Sequence, residues 1–413
     1  MNRTIYIYLD DAIGTSAQLI GMLTAQAVKG SEVFSFEFDD AWLRHGRLHI
    51  LDPELQLYRG RQFLQEGKSN FGIFLDSSPD RWGRLLLDRR EALRAKAEDR
   101  QPRLLQESDY LLGVYDECRM GALRIKTIAD GGFMDNAPEL STPPIASLRE
   151  LEHASWQLEH EATTDDNRWL RLLLAPGSSL GGARPKANVW HNDGSLWIAK
   201  FPSRHDSMNI GAWEAVAMTL AKRCGVEVAP FAAQKLSNRY STFLTRRFDR
   251  TADNRRIHFT SAMTMLGYTD GHTDGCSYLE IAEWISQYCC HVEDNLAQLW
   301  LRIVFNIAIS NSDDHLRNHG FLLTKEGWSL SPAYDLNPQY YATNLSLNIS
   351  ENDSSMDYRL AKDVAPFFGI SDTKADSIIQ KVNDSVSSWR NIAGKYGISR
   401  EEQEQMVRAF RTE

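Results

Sequence analysis

Three polar residues late in the chain have the types and spacing to do chemistry. Asp313 stands in the segment SDDHLRNH, and Asn318 follows five residues later. Two short apolar runs come next, Phe321–Thr324 and Trp328–Leu330, and Asp335 lies just past the second run. Apolar runs separated by a short stretch that contains Gly predict a β-hairpin. Because a hairpin returns the chain to its starting end, we expect Asn318 and Asp335 to lie side by side.

The residue types in this set suit phosphoryl transfer. An Asp and an Asn placed together can hold a hard cation such as Mg²⁺ through oxygen. Asp313, just before them, is then available to accept a proton, and kinases need this combination of a base with an Asn and an Asp on the metal. The alternative is that all three are ordinary polar loop residues. Their order, with the hairpin between them, favours the site.

A long amphipathic helix is predicted to deliver the Asp313 loop. Within His291–Asn311, apolar residues recur at the spacing of a buried helix face. This stripe consists of Leu296, Leu299, Trp300, Ile303, Val304, Ile307 and Ala308. Further helices are predicted over Tyr278–Tyr288 and over Asp372–Ala393.

A second constellation joins a strand Lys to a helix Glu. Strands are predicted over Ala187–Trp190 and Leu196–Phe201, and Lys200 lies near the end of the second. A Lys on an inner strand face is costly without anionic partners, although an edge-strand Lys that reaches solvent is an equal alternative. Glu214 lies in the first turns of a helix predicted over Ile210–Cys224. In kinases such a Glu holds the Lys against the ATP phosphates.

The Gly-rich segment APGSSLGGARPK precedes these strands. Its backbone N–H groups and the absence of side chains at Gly181 and Gly182 suit a phosphate. It is not a Walker A loop, because Ala183 stands where a Lys should follow Gly182. A plain turn is the alternative.

A strand predicted over Tyr240–Thr245 runs into RRFDR, residues Arg246–Arg250. In a kinase, this segment would link the two lobes, and its backbone groups would bind adenine. For the side chains of Arg247 and Asp249 we expect a structural salt bridge.

Residues 1–130 predict a separate α+β unit without a catalytic constellation. Its predicted strands are Thr4–Leu9, Val33–Phe38, Tyr110–Tyr115 and Gly121–Ile125. Ser77 or Ser78 is expected to cap a helix with Pro79 at its start, and the charge run that follows is expected to be a solvated helix face. Residues 126–148 are rich in Gly, Pro and Ser and predict a linker.

Composition bounds the class of protein. With 42% hydrophobic and 24% charged residues, the 413-residue chain is typical of a soluble globular protein of two or three domains. A net charge of −9 argues against sequence-blind nucleic-acid binding. The five cysteines include no C-x-x-C, so neither a disulfide framework nor a zinc site is indicated, and a reducing cytoplasm fits. No apolar leader or membrane-spanning run is seen.

With these motifs in view, the sequence resembles the HipA family of serine/threonine-protein kinase toxins. The matching segments, in the family's order, are FSFEFDDAWL, SSPDRWGR, MGALRI, GGARPK, WIAKFP, WEAVAMTLAKRCGVEV, RRFDR, SDDHLRNH and SPAYDLNP. The resemblance implies an α+β protein-kinase-like (phosphoinositide-kinase-related) bilobal core, with an N-terminal α+β subdomain and a mostly helical C-terminal lobe. The predicted domains are 1–135, then 136–248 as the kinase N-lobe region with the Gly-rich loop and strand Lys, then 249–413 as the helical C-lobe.

The resemblance implies a role for each residue of the catalytic set. Asp313 would be the catalytic base, and Asn318 and Asp335 would hold Mg²⁺. His315 would brace the catalytic loop. Asp314 is a rival base, but Asp313 has the kinase spacing of five residues to Asn318.

The resemblance also implies an ATP site and its control. The residues implied to bind ATP are Ser179, Gly181, Gly182, Lys186, Lys200, Glu214, Arg246 and Phe248, the last two through backbone. Family members self-phosphorylate a loop Ser that aligns with Ser179, with Ser178 as the alternative. A phosphate there repels ATP. Pro185 removes one backbone N–H from this loop, in a position where the family often has other residues.

The substrate and the partner follow from the resemblance alone. The resemblance implies a toxin, associated with persistence, that phosphorylates an aminoacyl-tRNA synthetase, in the cytoplasm that the cysteine content already fits. It also implies a HipB-like helix-turn-helix antitoxin, operator DNA bound only through that antitoxin, and no membrane. Two alternatives remain: a kinase acting on a small molecule or lipid head group, and a catalytically idle antitoxin-binding module.

Overall fold

The structure, a computed structural model, describes residues 2–46, 49–134, 142–160, 168–174 and 182–412. It divides into two compact units. The first unit comprises Met1–Arg204 and Asp249–Thr260, and the second comprises His205–Phe248 and Ser261–Glu413. The division into three domains predicted from the sequence stays a prediction, and its first boundary falls outside the described residues.

The first unit contains an antiparallel sheet with the order β4-β3-β2-β1-β5. Its strands are β1 (Asn2–Leu9), β2 (Gln18–Val28), β3 (Ser31–Phe38), β4 (Arg61–Phe63) and β5 (Leu123–Lys126). Strand β1 buries Ile5, Ile7 and Leu9 on one face, which is the alternation expected of a half-buried strand. The central strand β2 was not predicted from the sequence.

Six helices and one further strand pair complete the first unit in the described residues. The helices are α1 (Asp40–His45), α2 (Gly72–Asp76), α3 (Arg81–Ala97), α4 (Glu107–Leu112), α5 (Leu148–His160) and α6 (Arg168–Leu174). Strands β6 (Lys186–Trp190) and β7 (Leu196–Lys200) pair antiparallel, as predicted.

Two expectations for this unit were wrong. The segment predicted as the strand Tyr110–Tyr115 ends helix α4, because Gln106 and Asp109 form a reciprocal capping box that starts a helix. The cap of α3 is neither Ser77 nor Ser78. Asp80 accepts from the backbone N–H of Gly83 at 2.8 Å, whereas Ser78 donates back to the Phe74 carbonyl.

The second unit is mostly helical. Its helices are α7 (Ile210–Cys224), α8 (Ala262–Met265), α9 (Tyr278–Tyr288), α10 (Val292–Ile309), α11 (Tyr358–Val364), α12 (Asp372–Val386), α13 (Trp389–Lys395) and α14 (Arg400–Met406). Its antiparallel strand pairs are β8 (Phe231–Lys235) with β9 (Ser241–Arg246), and β11 (Gly320–Thr324) with β12 (Gly327–Leu330). Strand β10 spans His258–Ser261, of which only Ser261 belongs to this unit.

The predicted helices of this unit are largely confirmed. Helix α7 runs from Ile210 to Cys224, and α9 and α10 lie where the apolar periodicity placed them. All seven residues of the α10 stripe are buried. The single helix predicted over Asp372–Ala393 was wrong: α12 ends at Val386, and the hydroxyls of Ser387 and Ser388 bond nearby carbonyls before α13 begins.

A glycine lets helix α7 approach the β8–β9 pair closely. A Cβ at Gly211 would stand 2.2 Å from the carbonyl oxygen of Ser241 in β9. No helix in the described part of the chain has the length and apolar character needed to cross a membrane.

Candidate active site

Helix α10 ends in a tight left-handed turn that begins the Asp313 loop. Ser310 has φ 50° and its N–H closes onto the last turn of the helix. The Ser310 hydroxyl accepts from Arg411 Nε at 2.9 Å. Because the helix is buried and its end is tied down, the loop starts from a rigid position.

Asp313 and Asn318 are joined across the loop. The side-chain Nδ2 of Asn318 donates to the backbone carbonyl of Asp313 at 3.1 Å. Asn318 is buried, whereas Asp313 is exposed. Since the amide nitrogen of Asn318 faces Asp313, its oxygen remains the acceptor that a cation could use.

The β11–β12 hairpin is confirmed, with Phe321 opposite Leu330 and Thr324 opposite Gly327. The segment after it returns to the Asp313 loop. The hydroxyl of Tyr334 donates to the backbone carbonyl of Arg317, next to Asn318, at 2.5 Å. Asp335 follows directly in a left-handed conformation with φ 58°. The segment after the hairpin therefore returns to the loop that carries Asn318, and the side-by-side placement of Asn318 and Asp335 stays a prediction.

The charge of Asp335 acts on Asp313. The pKa of Asp313 lies above its ordinary value of 3.8 because partial burial of the carboxyl disfavours the charge, and the charges of Asp335 and Asp314 raise it further. His315 acts in the opposite direction. A cation bound between the carboxylates of Asp313 and Asp335 would be stabilised, because it would offset their mutual repulsion.

Asp314 has surroundings unlike those of its neighbour. Its carboxylate accepts from the Tyr278 hydroxyl, from Asn306 Nδ2 at 2.9 Å and from His319 Nε2 at 2.8 Å. Burial alone would raise its pKa, but the charge and hydrogen bond of His319 with the Tyr278 hydrogen bond bring the pKa below the ordinary value. Asp314 is sealed from solvent, so the geometry favours Asp313 over Asp314 as the residue that could reach a substrate.

A buried Arg lies beneath the same loop. Arg302 of helix α10 donates to the carbonyl of Ser331, at the start of the segment that carries Asp335. Burial lowers the pKa of Arg302 to about 10, and the negative charge of Asp314 partly counteracts this effect. The two buried charges thus help to hold the loop and the returning segment.

Sequence reasoning did not single out the residues that hold this site together. Tyr334 directly precedes Asp335 in SPAYDLNP, and His319 directly follows Asn318 in SDDHLRNH. These adjacent positions could have marked both residues as members of the site. Tyr278 and Asn306 carry no such signal, because they reach Asp314 only through the packing of helices α9 and α10.

Phe248 lies next to the returning segment. Its ring centroid is 5.4 Å from that of Tyr334. Arg246 is the last residue of strand β9, and its backbone N–H donates to the carbonyl of Pro230. Within the second unit, the segment predicted to meet adenine therefore contacts the residue before Asp335.

The remaining site residues are distributed over both units. Lys200 ends β7 in the first unit, and Glu214 is buried in α7 of the second. Their pairing stays a prediction. Asp249, in the first unit, accepts from Arg250 at 2.7 Å and from the Gly121 N–H at 2.8 Å.

Lys186 forms a buried ion pair in the first unit. Its Nζ lies 2.5 Å from Asp80, and the two side chains are only 1% and 8% exposed. Lys186 also donates to the carbonyl of Gly182 at 3.2 Å, and Gly182 has φ 81°. Asp80 already pairs with the Lys186 ammonium, so a phosphate of ATP that contacted Lys186 would have to share this ammonium with Asp80. Ser178, Ser179 and Gly181 lie outside the described residues.

The donor set of the second unit fits a hard divalent cation. Asn318 and Asp335 offer an amide oxygen and a carboxylate beside the exposed carboxylate of Asp313, and every donor is oxygen. This is the ligand chemistry of Mg²⁺ rather than of a thiolate-binding metal. The arrangement can hold such an ion next to a group that accepts a proton.

Comparison of the chain with known proteins finds a matching protein family and several relatives named as kinases. The family model described as "HipA-like C-terminal domain" matches residues 178–389. The serine/threonine-protein kinase toxin HipA of Shewanella oneidensis is 27% identical over an alignment of 264 positions, which covers 55% of this chain and 59% of that protein. Relatives from Sinorhizobium fredii and Haemophilus influenzae, 26% and 27% identical, also carry the word kinase in their names. The chain spans about half the length of the curated relatives it matches, from 41% to 59%.

A solved structure shares the fold. A chain of the toxin–antitoxin complex of HipA, HipB and operator DNA from Shewanella oneidensis superposes with a TM-score of 0.64 at 18% identity. The match covers 98% of this chain and 94% of that one. The α+β, kinase-like fold class predicted from the sequence is therefore confirmed.

Proposed function

The chain belongs to the HipA family, and from this premise we propose that it is an ATP- and Mg²⁺-dependent protein serine/threonine kinase. The observation that supports the proposal is the return of the segment that carries Asp335 to the loop that carries Asp313 and Asn318. Tyr334 and the Asn318 side chain hold the two segments in place. The intact set of Lys200, Asp313, Asn318 and Asp335 argues against an idle binding module, which has no need of all four residues.

In the proposed reaction, the exposed carboxylate of Asp313 orients a substrate hydroxyl and accepts its proton. The hydroxyl oxygen forms a bond to the γ-phosphorus of ATP, and the bond from that phosphorus to the bridging oxygen breaks to leave ADP. Asn318 and Asp335 are assigned to Mg²⁺, which neutralises charge on the phosphates when bound. Asp314 stays buried and keeps the loop in position.

The ATP contacts are proposed from the family pattern. Lys200 is assigned to the phosphates, with Glu214 as its positioning residue. The backbone at Arg246 and Phe248 is assigned to adenine, which is consistent with the contact between Phe248 and Tyr334. Gly181, Gly182 and Lys186 are assigned to the phosphate-binding loop.

The regulation of the kinase, its substrate and its partner are also proposed from the family pattern. Self-phosphorylation of Ser179, or of Ser178, would switch the kinase off. An aminoacyl-tRNA synthetase is the proposed substrate, and a HipB-like antitoxin is the proposed partner. The structural relative whose complex contains HipA, HipB and operator DNA supports the partner. A cytoplasmic location is supported by the five cysteines, none of which forms a disulfide in the part of the chain that the structure describes.

Replacing the catalytic carboxylates tests the assigned roles. Asp313→Asn and Asp335→Asn should each lower the rate of phosphate transfer by about 10²–10⁴-fold, since each loses a charge needed at the reacting centre. Asp376→Asn is the matched control, because this exposed carboxylate on α12 pairs only with Lys362 in the contacts described, and it should keep normal activity. Circular dichroism would check that each variant folds.

The outcomes separate the candidate functions. Wild-type activity in either catalytic variant would overturn the assigned roles. Transfer of phosphate to metabolites or lipid head groups, and never to protein, would favour the small-molecule kinase. Failure to bind ATP with Mg²⁺ would favour the idle antitoxin-binding module.

A further inference from the structure

A second cluster of ligating side chains lies at the opposite end of helix α10 from Asp313. Cys290 and His291 immediately precede the helix, and Glu326 lies in the turn between β11 and β12. One ligand atom from each of the three residues lies within 4.8 Å of the others. A ring nitrogen of His291 is in direct contact with the Glu326 carboxylate. The three residues line a surface depression of about 300 Å³.

We propose that Cys290, His291 and Glu326 bind a transition-metal ion of the Zn²⁺ class. Thiolate, imidazole and carboxylate are the ligands that zinc takes in proteins. The sulfur donor argues against Mg²⁺ and Ca²⁺, which take oxygen. Three protein ligands leave one tetrahedral position to water, and the side chains of His291 and Glu326 are 60% and 68% exposed, so that position is accessible.

The backbone holds the two ligand-bearing segments together. The N–H of Cys290 donates to the Trp328 carbonyl at 2.8 Å. Asn295 donates to the carbonyl of Cys290 at 2.7 Å, and its side-chain oxygen accepts from the Leu330 N–H at 2.9 Å. Ligands 35 residues apart in sequence are thus pre-arranged on rigid elements, which favours metal binding.

Binding requires the thiol to lose its proton. Cys290 Sγ donates to the Trp328 carbonyl at 3.1 Å. On binding, the S–H bond breaks, the proton passes to solvent and the thiolate forms a bond to the metal. The simpler explanation, an exposed ion pair between His291 and Glu326, contributes little stability and gives Cys290 no part.

A metal here would brace the frame of the candidate active site. The hairpin that carries Glu326 connects Asn318 to Asp335, and helix α10 delivers Asp313. One ion would join the hairpin turn to the start of the helix. The binding itself does not depend on the proposed kinase activity.

Cobalt provides the direct test, because a thiolate ligand gives Co²⁺ a charge-transfer absorption in the near ultraviolet. The full chain, kept reduced with a phosphine, would be titrated with Co²⁺ and then with Zn²⁺. We expect one equivalent of Co²⁺ to bind with this absorption, and Zn²⁺ to displace it. His291→Asn and Glu326→Gln should each weaken binding by roughly tenfold or more.

The neighbouring cysteine is the matched control. Cys290→Ser should abolish the absorption, whereas Cys289→Ser should keep it, since Cys289 is not part of the cluster. As a second readout, Zn²⁺ should raise the Tm of the wild type and of Cys289→Ser but not that of Cys290→Ser. An absorption that is missing in the folded wild type, or that persists in Cys290→Ser, would overturn the proposal. So would an equal loss in both cysteine variants.

Discussion

Asp313 and Asp314 are neighbours in sequence with opposite surroundings. Asp313 is exposed, whereas Asp314 is buried against Tyr278, Asn306 and His319. The sequence preferred Asp313 by its spacing to Asn318, and the surroundings give an independent physical reason for the same preference. A buried carboxylate with three donors positions a loop, whereas an exposed one can meet a substrate.

The buried Asp314 should give stability a specific dependence on pH. Its folded pKa lies below the ordinary 3.8, so the unfolded chain takes up the proton first as the pH falls. The carboxylate's contribution is therefore full above 3.8 and is lost below it. Asp314→Asn should cost roughly 3 kcal/mol at neutral pH, and this difference should shrink only in stronger acid.

Urea unfolding of the wild type and of Asp314→Asn at a series of pH values would measure this. The difference in free energy of unfolding should stay constant from pH 7 down to about 4.5 and then narrow. A difference that already narrows between pH 7 and about 5.5 would contradict the assignment and point instead to a group that titrates near neutrality, such as a histidine.

Through its hydroxyl, Tyr334 holds the segment that carries Asp335, one of the two proposed magnesium ligands. Tyr334→Phe removes the hydrogen bond to the Arg317 carbonyl and keeps the ring beside Phe248. We expect a loss of about 1 kcal/mol in stability and a fall in kcat of about tenfold, because the segment that carries Asp335 would lose its hydrogen bond to the loop that carries Asn318. Steady-state phosphate transfer and urea unfolding would measure the two effects.

Tyr268→Phe is the control for that variant. Its hydroxyl donates to Glu280 at 2.7 Å in the same unit, so it should lose similar stability and leave kcat unchanged. Equal effects of the two variants on kcat would refute a positioning role for Tyr334.

Elements with a strong periodic signal were predictable. The stripe on α10 repeats over several turns, and the hairpin has two short apolar runs, of four and three residues, around a turn that contains Gly327. Helix α4 was mistaken for a strand because a short apolar run fits either state, and only the capping box between Gln106 and Asp109 decides it. Strand β2 was missed, although its pairing with β1 and β3 forms the middle of the sheet.

The start of helix α3 and strand β6 share one buried charge pair. Asp80 caps α3 through Gly83 and also holds Lys186. Burial raises the pKa of Asp80, and Lys186 counteracts this. Asp80→Ala should destabilise the protein by about 3–5 kcal/mol, since it removes the carboxylate that the buried Lys186 ammonium contacts at 2.5 Å.

A double-mutant cycle in urea would test this coupling. Asp80→Ala with Lys186→Met should cost less than the sum of the single variants, because no unpaired charge remains. Strict additivity would show that the two residues do not stabilise each other.

At the scale of the whole molecule, the order of the motifs carried more information than any single element. The family and the fold class followed from segments that run from FSFEFDDAWL to SPAYDLNP, and the comparisons confirm both. The contacts of Asp314 with Tyr278 and Asn306 could not be predicted, since these residues lie 36 and 8 positions from Asp314 in sequence and reach it only through helix packing. The cluster of Cys290, His291 and Glu326 could not be predicted either, because the spacing of the cysteines carries no information about a Glu 35 residues after His291.

The most direct test of the central claim is the transfer of labelled phosphate from ATP. The purified protein, first shown by mass spectrometry to be unphosphorylated, would be incubated with Mg²⁺ and γ-labelled ATP, and any phosphorylated residue would be mapped. We predict label on Ser179 or Ser178 in the wild type and none in Asp313→Asn. Equal labelling of the two proteins, or no label in a wild type shown to bind ATP with Mg²⁺, would contradict the account.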